Sequence, residues 1–546
     1  DSNKRLTTVT DPAGRTLTIV YNQDHRIDHV SDPQGNTVTF GYSSSGDLTI
    51  VTDQNGGVTS YAYDGNHRIT GITDPNGHTS ANNTYDAEGK VVNQIDAENN
   101  LISLSYDSAS KKTTLTRQMD PGNPSQDQVI TFYRDDNYRL IRQEDALGKE
   151  IAYTYDTDGN QDSTTDKRGT VSRKVFDSSG NVTDEYKANG TAEQEHTSYT
   201  YNAKNRPLTK TDARGYTTGY TYDSNSTNLI QVSYPSVTNY AGAVSNYSEF
   251  FSYNPDGTIS TKTDKNANVT SYAYNSYGSL ASETRNTNRS QQDQVTITYN
   301  YDILGRKVGE TDGIGHQTSY QYDNLGNLRY ETKQVTDPGA SQLVDVTTES
   351  QYDAAGNKTA VIDSEGNAAN YSFTPMNRIG QVTDDKGNTI QYTYDAAGNK
   401  TGTKDRNDNW THANFDKNNR MASATDPESN VTTYTYDDEG NQTSVTDPLG
   451  RVTSKTYDHL GRVISSTEPD EGNATRTTTY IYDPANNLTA TTDPLSHTAT
   501  NVYDELGRLK QVTDPLGNSS YTAFDGVGNQ VKTKDSKGAE TSFTFS

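Results

Sequence analysis

The sequence predicts an all-β protein, an antiparallel meander of about 23 β-hairpins that coils into a spiral shell or tube. Three observations lead to this prediction. An aromatic residue followed by a tight-turn motif recurs with a period of 21 residues. Asp and Gly hold fixed positions in two turns of each period. The runs between the turns are rich in Thr, Val, Ile and Tyr, which favour strands, and they are too short for helices.

The period is measured between aromatic anchors, the residues that precede the first turn of each unit. The 546 residues contain 24 anchors; fifteen of the 23 intervals are 21 residues, two are 22 and six run from 25 to 31. Self-similarity of this kind indicates a repeat architecture. The anchors are Tyr21, Tyr42, Tyr63, Tyr85, Tyr106, Tyr133, Tyr155, Phe176, Tyr201, Tyr222, Tyr253, Tyr274, Tyr301, Tyr322, Tyr352, Phe373, Tyr394, Phe415, Tyr436, Tyr457, Tyr482, Tyr503, Phe524 and Phe545.

Each period divides into two strands and two turns, as residues 441–461 show. Six residues from Asn441 form a short strand, Asp447–Gly450 a turn, seven residues ending at Tyr457 a longer strand, and Asp458–Gly461 a second turn. Asp first and Gly fourth is the preference of a type I turn that continues a hairpin through a left-handed glycine. We call these the Asp-Pro turn and the Tyr-Asp turn. Each period is therefore predicted to be one hairpin.

Tyrosines recur two residues apart at the end of the longer strand, a spacing that puts both rings on one face. Repeated at one register, they are expected to form aromatic ladders across the sheet and a tyrosine-built core. Which face points inward is left open. The ten pairs are Tyr61/Tyr63, Tyr153/Tyr155, Tyr199/Tyr201, Tyr220/Tyr222, Tyr272/Tyr274, Tyr299/Tyr301, Tyr320/Tyr322, Tyr392/Tyr394, Tyr434/Tyr436 and Tyr480/Tyr482.

A flat ribbon of this many strands is not expected to persist. About 46 strands at roughly 4.8 Å each would extend on the order of 220 Å. Open sheets rarely exceed about 10 strands before they curl or split, because right-handed twist accumulates. The ribbon must therefore coil, either into a shell around a cavity or into an extended superhelical fibre, and both alternatives remain open.

All six long intervals lengthen the Asp-Pro side of the hairpin, so one edge of the ribbon is expected to be smooth and the other to carry the long loops. Two interpretations are possible: tolerated insertions at exposed tips, or an edge that meets neighbouring parts of the coil or a partner. The extra residues fall near Asp120–Gln128, Lys187–His196, Tyr234–Ser248, Asn286–Gln294, Asp337–Asp345 and Glu468–Arg476.

Composition excludes several classes of protein and partner. Only 29% of residues are hydrophobic and the formal net charge is −25, yet 39 tyrosines and the regular turns oppose disorder. The acidic balance disfavours nucleic acid and anionic membrane surfaces as partners. No apolar run is long enough for a membrane span, and the lack of cysteine excludes disulfides. The chain starts and stops inside the pattern, so we expect one continuous array over residues 1–546, a fragment of a longer protein.

No group of residues forms a convincing active site, and the sequence predicts no catalytic, cofactor-binding or metal-ligating residue. The nine histidines look unrelated to the repeat and are interpreted as surface residues. The turn aspartates are interpreted as caps of their own loops. Residues 405–409 resemble a calcium loop but lack its final glutamate. The single tryptophan, Trp410, is interpreted as a packing residue.

The repeat resembles the YD repeat of the Rhs family over essentially the whole chain, as in residues 503–508 (Tyr-Asp-Glu-Leu-Gly-Arg) and 513–518 (Thr-Asp-Pro-Leu-Gly-Asn). That family includes bacterial polymorphic toxins, shell components of insecticidal toxin complexes, wall-associated proteins and teneurins. The resemblance implies a β-sheet spiralling into a hollow cocoon, often around a C-terminal toxic domain. The family's terminal segment with autoproteolytic aspartates is not found, since Asp535–Gly538 is an ordinary turn, so no catalytic residue is carried over.

The sequence thus predicts a non-enzymatic, secreted or cell-surface scaffold without cofactors. Its expected partner is an encapsulated or downstream polypeptide of the same protein, with other copies or cell-surface partners as further possibilities. The alternative is a cell-surface adhesin, stalk or extracellular fibre built from the same repeats. A glycan hydrolase on this scaffold has little support, because no repeat carries a unique pair of carboxylates.

Overall fold

The computed structural model describes residues 4–225, 227–337, 342–470 and 474–545. Within these ranges the regular structure is almost entirely antiparallel β: one 48-stranded sheet and a separate two-stranded sheet, β22–β23. The same ranges contain two short 3-10 turns, Pro124–Gln126 and Gln291–Asp293, and no α-helix. The predicted fold class, an antiparallel meander of repeated hairpins, is confirmed.

The strands of the lower part of the chain are β1 Thr8–Thr10, β2 Thr16–Tyr21, β3 Ile27–Ser31, β4 Thr37–Tyr42, β5 Leu48–Thr52, β6 Val58–Tyr63, β7 Ile69–Thr73, β8 Thr79–Tyr85, β9 Val91–Ile95, β10 Leu101–Asp107, β11 Lys112–Arg117, β12 Gln128–Arg134, β13 Leu140–Glu144, β14 Glu150–Tyr155, β15 Gln161–Thr165, β16 Val171–Phe176, β17 Val182–Lys187, β18 Glu195–Tyr201, β19 Pro207–Thr211, β20 Thr217–Tyr222, β21 Leu229–Ser233, β22 Val237–Thr238, β23 Val244–Ser245, β24 Ser248–Tyr253 and β25 Ile259–Thr263.

The remaining strands are β26 Val269–Tyr274, β27 Leu280–Arg285, β28 Val295–Tyr301, β29 Lys307–Thr311, β30 Gln317–Tyr322, β31 Leu328–Thr336, β32 Leu343–Tyr352, β33 Lys358–Ile362, β34 Ala368–Phe373, β35 Ile379–Thr383, β36 Thr389–Tyr394, β37 Lys400–Lys404, β38 Trp410–Phe415, β39 Met421–Thr425, β40 Val431–Tyr436, β41 Gln442–Thr446, β42 Val452–Tyr457, β43 Val463–Pro469, β44 Thr475–Tyr482, β45 Leu488–Thr492, β46 Thr498–Tyr503, β47 Leu509–Thr513, β48 Ser519–Phe524, β49 Gln530–Lys534 and β50 Glu540–Ser542.

Each hairpin is closed by the turn geometry that the motif predicts. In the Tyr-Asp turn after β42, the Gly461 N–H donates to the Asp458 carbonyl at 3.0 Å and the Asp458 N–H to the Arg462 carbonyl at 3.0 Å. Gly461 has a φ of 77°, which only glycine adopts without strain. The register shifts by one residue at Thr456/Tyr457, the bulge expected beside such a turn.

The interpretation of the histidines needs a correction. His25 and His67 both occupy the fourth position of a Tyr-Asp turn, where glycine is usual, and both have positive φ (65° and 62°). His78, His316 and His497 each follow the fourth residue of an Asp-Pro turn. Five of the nine histidines therefore sit at two defined repeat positions. The backbone hydrogen bonds of a hairpin turn hold whatever residue stands there, so side chains other than glycine are tolerated.

The sheet has a single layer and almost no conventional core. Among the described residues, the hydrophobic residues that are buried are Ala188, Val232, Val237 and Ala360. The expected tyrosine-built core is therefore wrong. No second layer covers either face of the sheet, so the anchor tyrosines stay half-buried.

The predicted aromatic ladders are also wrong in detail. Within the described ranges only four pairs of aromatic rings are in contact, and two of them, Tyr199–Tyr201 and Trp410–His412, lie within a single strand. Tyrosines of successive hairpins are two strands apart, about 10 Å, because a short strand lies between them. Arginine and lysine side chains fill that gap and stack on the rings, for example Arg420 on Tyr436 at 4.8 Å.

The ribbon coils back alongside itself. Side chains form hydrogen bonds with residues 259 to 300 positions later in the sequence. For example, Asn55, between β5 and β6, bonds to Asp323, between β30 and β31. The strands β6 to β30, without β22–β23, number 23, which gives a circumference of about 110 Å and a diameter of roughly 35 Å at the usual strand spacing. We call residues 4–270 the lower revolution and residues 271–545 the upper revolution.

Candidate functional site: the seam of the wall

At several Tyr-Asp turns that are followed by an arginine, a three-residue staple links the hairpin to the next one along this edge. Asp458 accepts hydrogen bonds from the Leu460 and Arg462 N–H groups at 2.9 Å and from Arg462 Nε at 2.6 Å. The Arg462 guanidinium lies 4.8 Å from the ring centre of Tyr482, the next anchor, and donates to the Asp483 carbonyl at 3.0 Å. The motif Asp-x-x-Gly-Arg therefore joins neighbouring hairpins through charge and cation–π contact.

The anchor hydroxyls complete this staple. The Tyr436 hydroxyl donates to the Met421 carbonyl at 2.8 Å, and the Tyr457 hydroxyl to the Gln442 carbonyl at 2.8 Å. In both cases the acceptor is the first strand residue after the preceding Tyr-Asp turn. The tyrosine of the motif is thus a tie between hairpins, which explains its repetition in a sheet without a core.

Tyr394→Ala is expected to lower the free energy of unfolding by about 1–2 kcal/mol, since it removes a hydrogen bond to the Ile379 carbonyl (2.8 Å) and the stack of Arg378 on the ring. His459→Ala, which removes a half-exposed contact to Glu193, is expected to cost less. Thermal melting of both variants tests the comparison. Equal shifts in melting temperature would show that the tyrosine ties add little.

The two revolutions meet along a seam. The Asp-Pro turns of the lower revolution face the Tyr-Asp turns of the upper revolution. The third residue of the Asp-Pro turn makes three alike contacts: Asn55 with Asp323 (3.0 Å), Asn76 with Asp353 (2.9 Å) and Asn266 with Asp525 (2.8 Å). In a fourth, the Glu98 carboxylate pairs with Arg378. The seam is therefore built from one repeat position meeting one repeat turn.

Two arginines at the same third position form the most buried points of the seam. Arg168 donates to the Asp458 and His459 carbonyls at 3.0 and 3.2 Å. Arg214 repeats this at the Asp504 and Glu505 carbonyls, at 2.8 and 3.3 Å. Asp458 and Asp504 are only 6% and 2% exposed, so the staple, through the carboxylate, and the seam, through the backbone carbonyl, meet at these two residues.

The long loop at Tyr234–Ser248 crosses the seam as a clasp. Val237 in this loop is 6% exposed. The Thr238 N–H donates to the Glu505 carboxylate at 3.0 Å, and Lys510 donates to the Thr238 carbonyl at 3.2 Å. Farther along, the Tyr240 ring lies 5.4 Å from the ring of Tyr521. The loop thereby holds the last strands of the upper revolution against the lower one.

Two other long loops also reach the seam. The Asp120–Gln128 loop reaches the seam through Gln128, whose side chain donates to Asn419 at 2.6 Å. The Lys187–His196 loop reaches it through Glu193, which pairs with His459. These contacts support the interpretation of the long-loop edge as one that meets a neighbouring part of the coil. Parts of the Asp337–Asp345 and Glu468–Arg476 insertions lie outside the described residues.

At one point of the seam the two revolutions approach so closely that the position requires glycine. The Gly526 N–H donates to the Asn266 side-chain oxygen at 2.7 Å, and a Cβ at position 526 would lie 2.5 Å from the Lys265 carbonyl oxygen. The requirement at this glycine is for space, because its φ lies outside the left-handed range. The backbones of the two revolutions therefore touch here.

Family models and solved structures were compared with this chain. The RHS Repeat family model matches residues 42–79, 415–452, 436–472, 457–498 and 503–540, and the Teneurin YD-shell model matches residues 172–337. The chain belongs to the Rhs/YD-repeat family. No curated protein sequence matches it.

Two solved structures share the fold of this YD-repeat chain. A crystal structure of TcdB2-TccC3-Cdc42 superposes with a TM-score of 0.57 at 13% identity, over 95% of this chain and 39% of that one. The Photorhabdus luminescens Tc holotoxin pore with a TccC3 mutation gives 0.60 at 14% identity, over 96% and 33%. The YD-repeat chain thus spans about a third of the length of these proteins, and at such identities the likeness concerns the fold.

The turn aspartates accept hydrogen bonds from backbone N–H groups of their own turns. Asp405, in the segment that resembles a calcium loop, accepts the Asn407 and Asn409 N–H groups at 2.8 and 2.9 Å. Over the described parts of the YD-repeat chain, no group of three His, Asp or Glu residues is placed to hold a metal ion. Trp410 stacks on His412 at 5.6 Å. No helix in these ranges is long and apolar enough to cross a membrane.

The third residue of the Tyr-Asp turn is a sequence signal for the seam that the motif analysis did not use. Upper-revolution Tyr-Asp turns often carry an apolar third residue, whereas lower-revolution ones carry mostly polar residues. Leu304, Met376, Leu460 and Leu506 are half-buried at the seam; Asp24, Ser45, Glu88 and Asp158 are exposed. Grouping the repeats by this one position separates the two halves of the YD-repeat array except for Asn418 and Glu439 in the upper revolution and Ala109 in the lower one.

The seam carboxylates have shifted acidities. Burial raises the pKa of Asp323, Asp353 and Asp525, but the hydrogen bonds they accept outweigh it and leave each pKa below its usual value. The amides of Asn55, Asn76 and Asn266, which face these carboxyls across the seam, are among those donors. Ionised carboxylates therefore strengthen the seam.

This arrangement predicts a pH dependence. A carboxyl with a lowered folded-state pKa adds stability that is present above its unfolded pKa, about 3.9, and is lost as pH falls through the folded value. The triple variant N55A/N76A/N266A is therefore expected to be destabilised more at pH 7 than at pH 3, in urea unfolding at both values. Asn407→Ala, at the same turn position on a free edge, is the control. A deficit independent of pH would contradict the assignment.

Proposed function

We propose that this YD-repeat chain is a non-enzymatic scaffold that forms the wall of a hollow β-shell, which encapsulates or presents a polypeptide such as a C-terminal toxin. The observation that carries the proposal is the seam. A ribbon that returns to itself after about 23 strands and bonds edge to edge forms a ring of strands roughly 35 Å in diameter around a central space. A stalk in which the ribbon does not return to itself would form no such seam.

The construction of the wall supports a steric role. Every strand of the large sheet pairs with its neighbours, so few backbone groups are left for proteases or partners to engage. Staples along one edge and seam contacts along the other hold the hairpins in place without a core. Such a wall isolates a polypeptide by excluding macromolecules, and it requires no catalytic residue and no cofactor.

The comparisons add a context for the cargo. One of the solved structures with this fold is named as a Tc holotoxin pore. By analogy, the cargo of this chain is an encapsulated or downstream polypeptide of the same protein. The array over residues 1–546 is then the shell section of a longer protein, and its location is extracellular, secreted or at the cell surface. Neither nucleic acid nor a membrane span belongs to this function.

Size-selective labelling of an introduced cysteine tests the enclosed space. The sequence has no cysteine, so the introduced thiol is the only one that reacts. Thr432 and Thr433 are neighbours in β40 and point to opposite faces of the wall. A single cysteine on the inner face should react with a small maleimide but slowly with a maleimide on a polymer too bulky for the interior. The cysteine on the outer face should react with both, so the pair also identifies the inner face.

Electron microscopy of the purified chain provides the second readout. Ring-shaped or barrel-shaped particles with a central space are expected. A thin rod without a central space, together with equal polymer labelling of Thr432→Cys and Thr433→Cys, would overturn the shell and favour the stalk or fibre.

A further inference from the structure

Two of the seam contacts depend on the same dipeptide, Asn-Gly. The sequence contains three such pairs, at residues 55–56, 76–77 and 189–190. The first two fill the third and fourth positions of Asp-Pro turns in the lower revolution. In both turns the asparagine side chain crosses the seam, Asn55 to Asp323 at 3.0 Å and Asn76 to Asp353 at 2.9 Å. The amide donors at these two points therefore belong to a dipeptide that reacts chemically.

An asparagine that precedes glycine loses its side-chain amide without an enzyme. The glycine nitrogen attacks the asparagine Cγ and gives up its proton, the Cγ–Nδ2 bond breaks, and ammonia leaves a five-membered succinimide ring. Water then opens the ring at either carbonyl and yields aspartate or isoaspartate. Glycine permits the attack most readily, because it has no Cβ to shield its nitrogen.

The closed seam keeps the reacting atoms apart. The Gly56 N–H donates to the Asp53 carbonyl at 3.1 Å, while the Asn55 side chain is held by Asp323. The turn at residues 74–77 repeats the glycine bond at 3.0 Å. Attack requires the side chain to leave the seam and fold back over the following nitrogen, so the reaction proceeds when the contact opens locally. Both glycines are exposed, so water reaches the site for the second step.

The product of this reaction does not fit the seam. Burial raises the pKa of Asp323 and Asp353, but the hydrogen bonds that these carboxyls accept outweigh it, so both stay ionised at neutral pH. Deamidation replaces the amide donor that faces each of them with a second carboxylate, and the like charges repel. Glu98, the acidic residue at the same turn position, pairs with Arg378 instead. Isoaspartate also adds a backbone atom to a turn of fixed length.

We propose that Asn55 and Asn76 are sites of spontaneous deamidation, and that their conversion makes the opening of this part of the seam irreversible. The cross-seam hydrogen bonds protect the amides while the seam is closed. Each opening exposes them to reaction, and a converted turn does not re-form its contact. The fraction of converted chains therefore increases with the total time that the seam has spent open. This inference concerns the lifetime of the coil and is independent of any cargo.

The turns themselves do not require glycine at the fourth position. Asn99 occupies it in the equivalent turn of the same revolution, with a φ of 65°. A Cβ at Gly56 or Gly77 would meet no atom of the described chain within 4 Å. The variant G56N/G77N therefore preserves both turns and both seam amides, while the new side chains shield the attacking nitrogens.

A second blocked variant changes the asparagines instead. Gln34 occupies the third position of the preceding Asp-Pro turn, so glutamine is compatible with this position. Glutamine deamidates more slowly, because its attack would have to close a six-membered ring. The variant N55Q/N76Q therefore keeps a side-chain amide at both points and removes the fast reaction without touching either glycine.

The test ages the full chain at mildly alkaline pH and follows residues 55 and 76 by peptide mass spectrometry. Converted chains carry added negative charge and are separated by anion exchange. Hydrogen exchange of β5–β8 at neutral pH is expected to be at least about tenfold faster in converted than in unconverted chains. Chains converted at Asn189 alone carry the same added charge and are expected to leave this exchange unchanged. After equal ageing, both blocked variants are expected to show at least about tenfold less conversion and unchanged exchange.

Three results would each overturn the proposal. The first is equal exchange of β5–β8 in converted and unconverted chains. The second is the absence of conversion in the native chain after about a hundredfold the time that converts both sites in the urea-unfolded chain. The third is ageing of both blocked variants at the native rate. The first two comparisons use only the native sequence, so they stand even where a blocked variant fails to fold.

Discussion

Asp504→Ala is expected to lower the free energy of unfolding of the C-terminal repeats by about 3–5 kcal/mol, the cost of removing one partner from a buried ion pair. The Asp504 carboxylate accepts Arg508 Nε at 2.6 Å and the N–H groups of Leu506 and Arg508 at 2.9 Å, with 3% of its side chain exposed. Without it, the Arg508 guanidinium is left buried at the seam. Hydrogen exchange of β45–β48 under mild denaturant measures the effect locally.

Asp64→Ala is the matched control. Asp64 pairs with Arg68 in an identical turn, at 2.7 Å, but on the lower rim, the free edge formed by the Tyr-Asp turns of the lower revolution, with about a quarter of its side chain exposed. A much smaller loss is expected there, since solvent replaces the missing contacts. Comparable losses at both positions would show that the turn, rather than the seam, determines the contribution of the carboxylate.

Replacing the clasp is expected to have the second large effect. In the variant, residues 234–247 give way to the five-residue turn found at 32–36, which joins strands in the same unshifted register. The last strands then lose the buried Val237, the Tyr240–Tyr521 stack and two hydrogen bonds of Thr238. About 3 kcal/mol of local stability is expected to go with them. Faster hydrogen exchange in β47–β50, with unchanged exchange in β36–β40, is the predicted signature.

A point variant separates the clasp from a general effect of loop shortening. Tyr240→Ala removes only the ring stack on Tyr521 and the hydroxyl contact to Glu540 at 3.2 Å, and a partial version of the same exchange pattern is expected. Tyr138→Ala, which removes a tyrosine that is 76% exposed on the lower rim, should leave exchange unchanged. Uniform loss of protection along the whole sheet after clasp replacement would argue against a local strap.

The seam bears on how a repeat protein of this kind is stabilised. In linear repeat arrays each unit contacts only its neighbours in sequence, so stability is a sum of local terms. Here every hairpin of the lower revolution also faces one about 270 residues later, as Asn76 faces Asp353. Hydrogen bonds between residues so far apart in sequence close a long loop of chain. The entropy cost of this closure arises once per revolution, and later contacts in the same revolution form without it. Cooperativity should therefore extend across revolutions.

The motif predicted the turn part of the staple but not the contact partner of its tyrosine. Asp458, Gly461 and Arg462 act within five residues of each other, so turn preferences predicted their geometry. The tyrosines were expected to contact one another in ladders, and this expected partner was wrong. A ring cannot touch the ring of the next hairpin across an intervening strand, and the arginine that fills the gap comes from the preceding turn, as Arg462 does for Tyr482.

The sequence by itself determined the hairpin, its two turns, the 21-residue period and the edge that carries the long loops, because each of these depends on contacts within one or two repeats. Only the tertiary structure decided that Arg168 and Arg214 meet Asp458 and Asp504, and that the clasp reaches Tyr521. Which repeats become neighbours depends on the small twist at each strand, summed over some 23 strands per revolution. No motif within a single repeat records that sum.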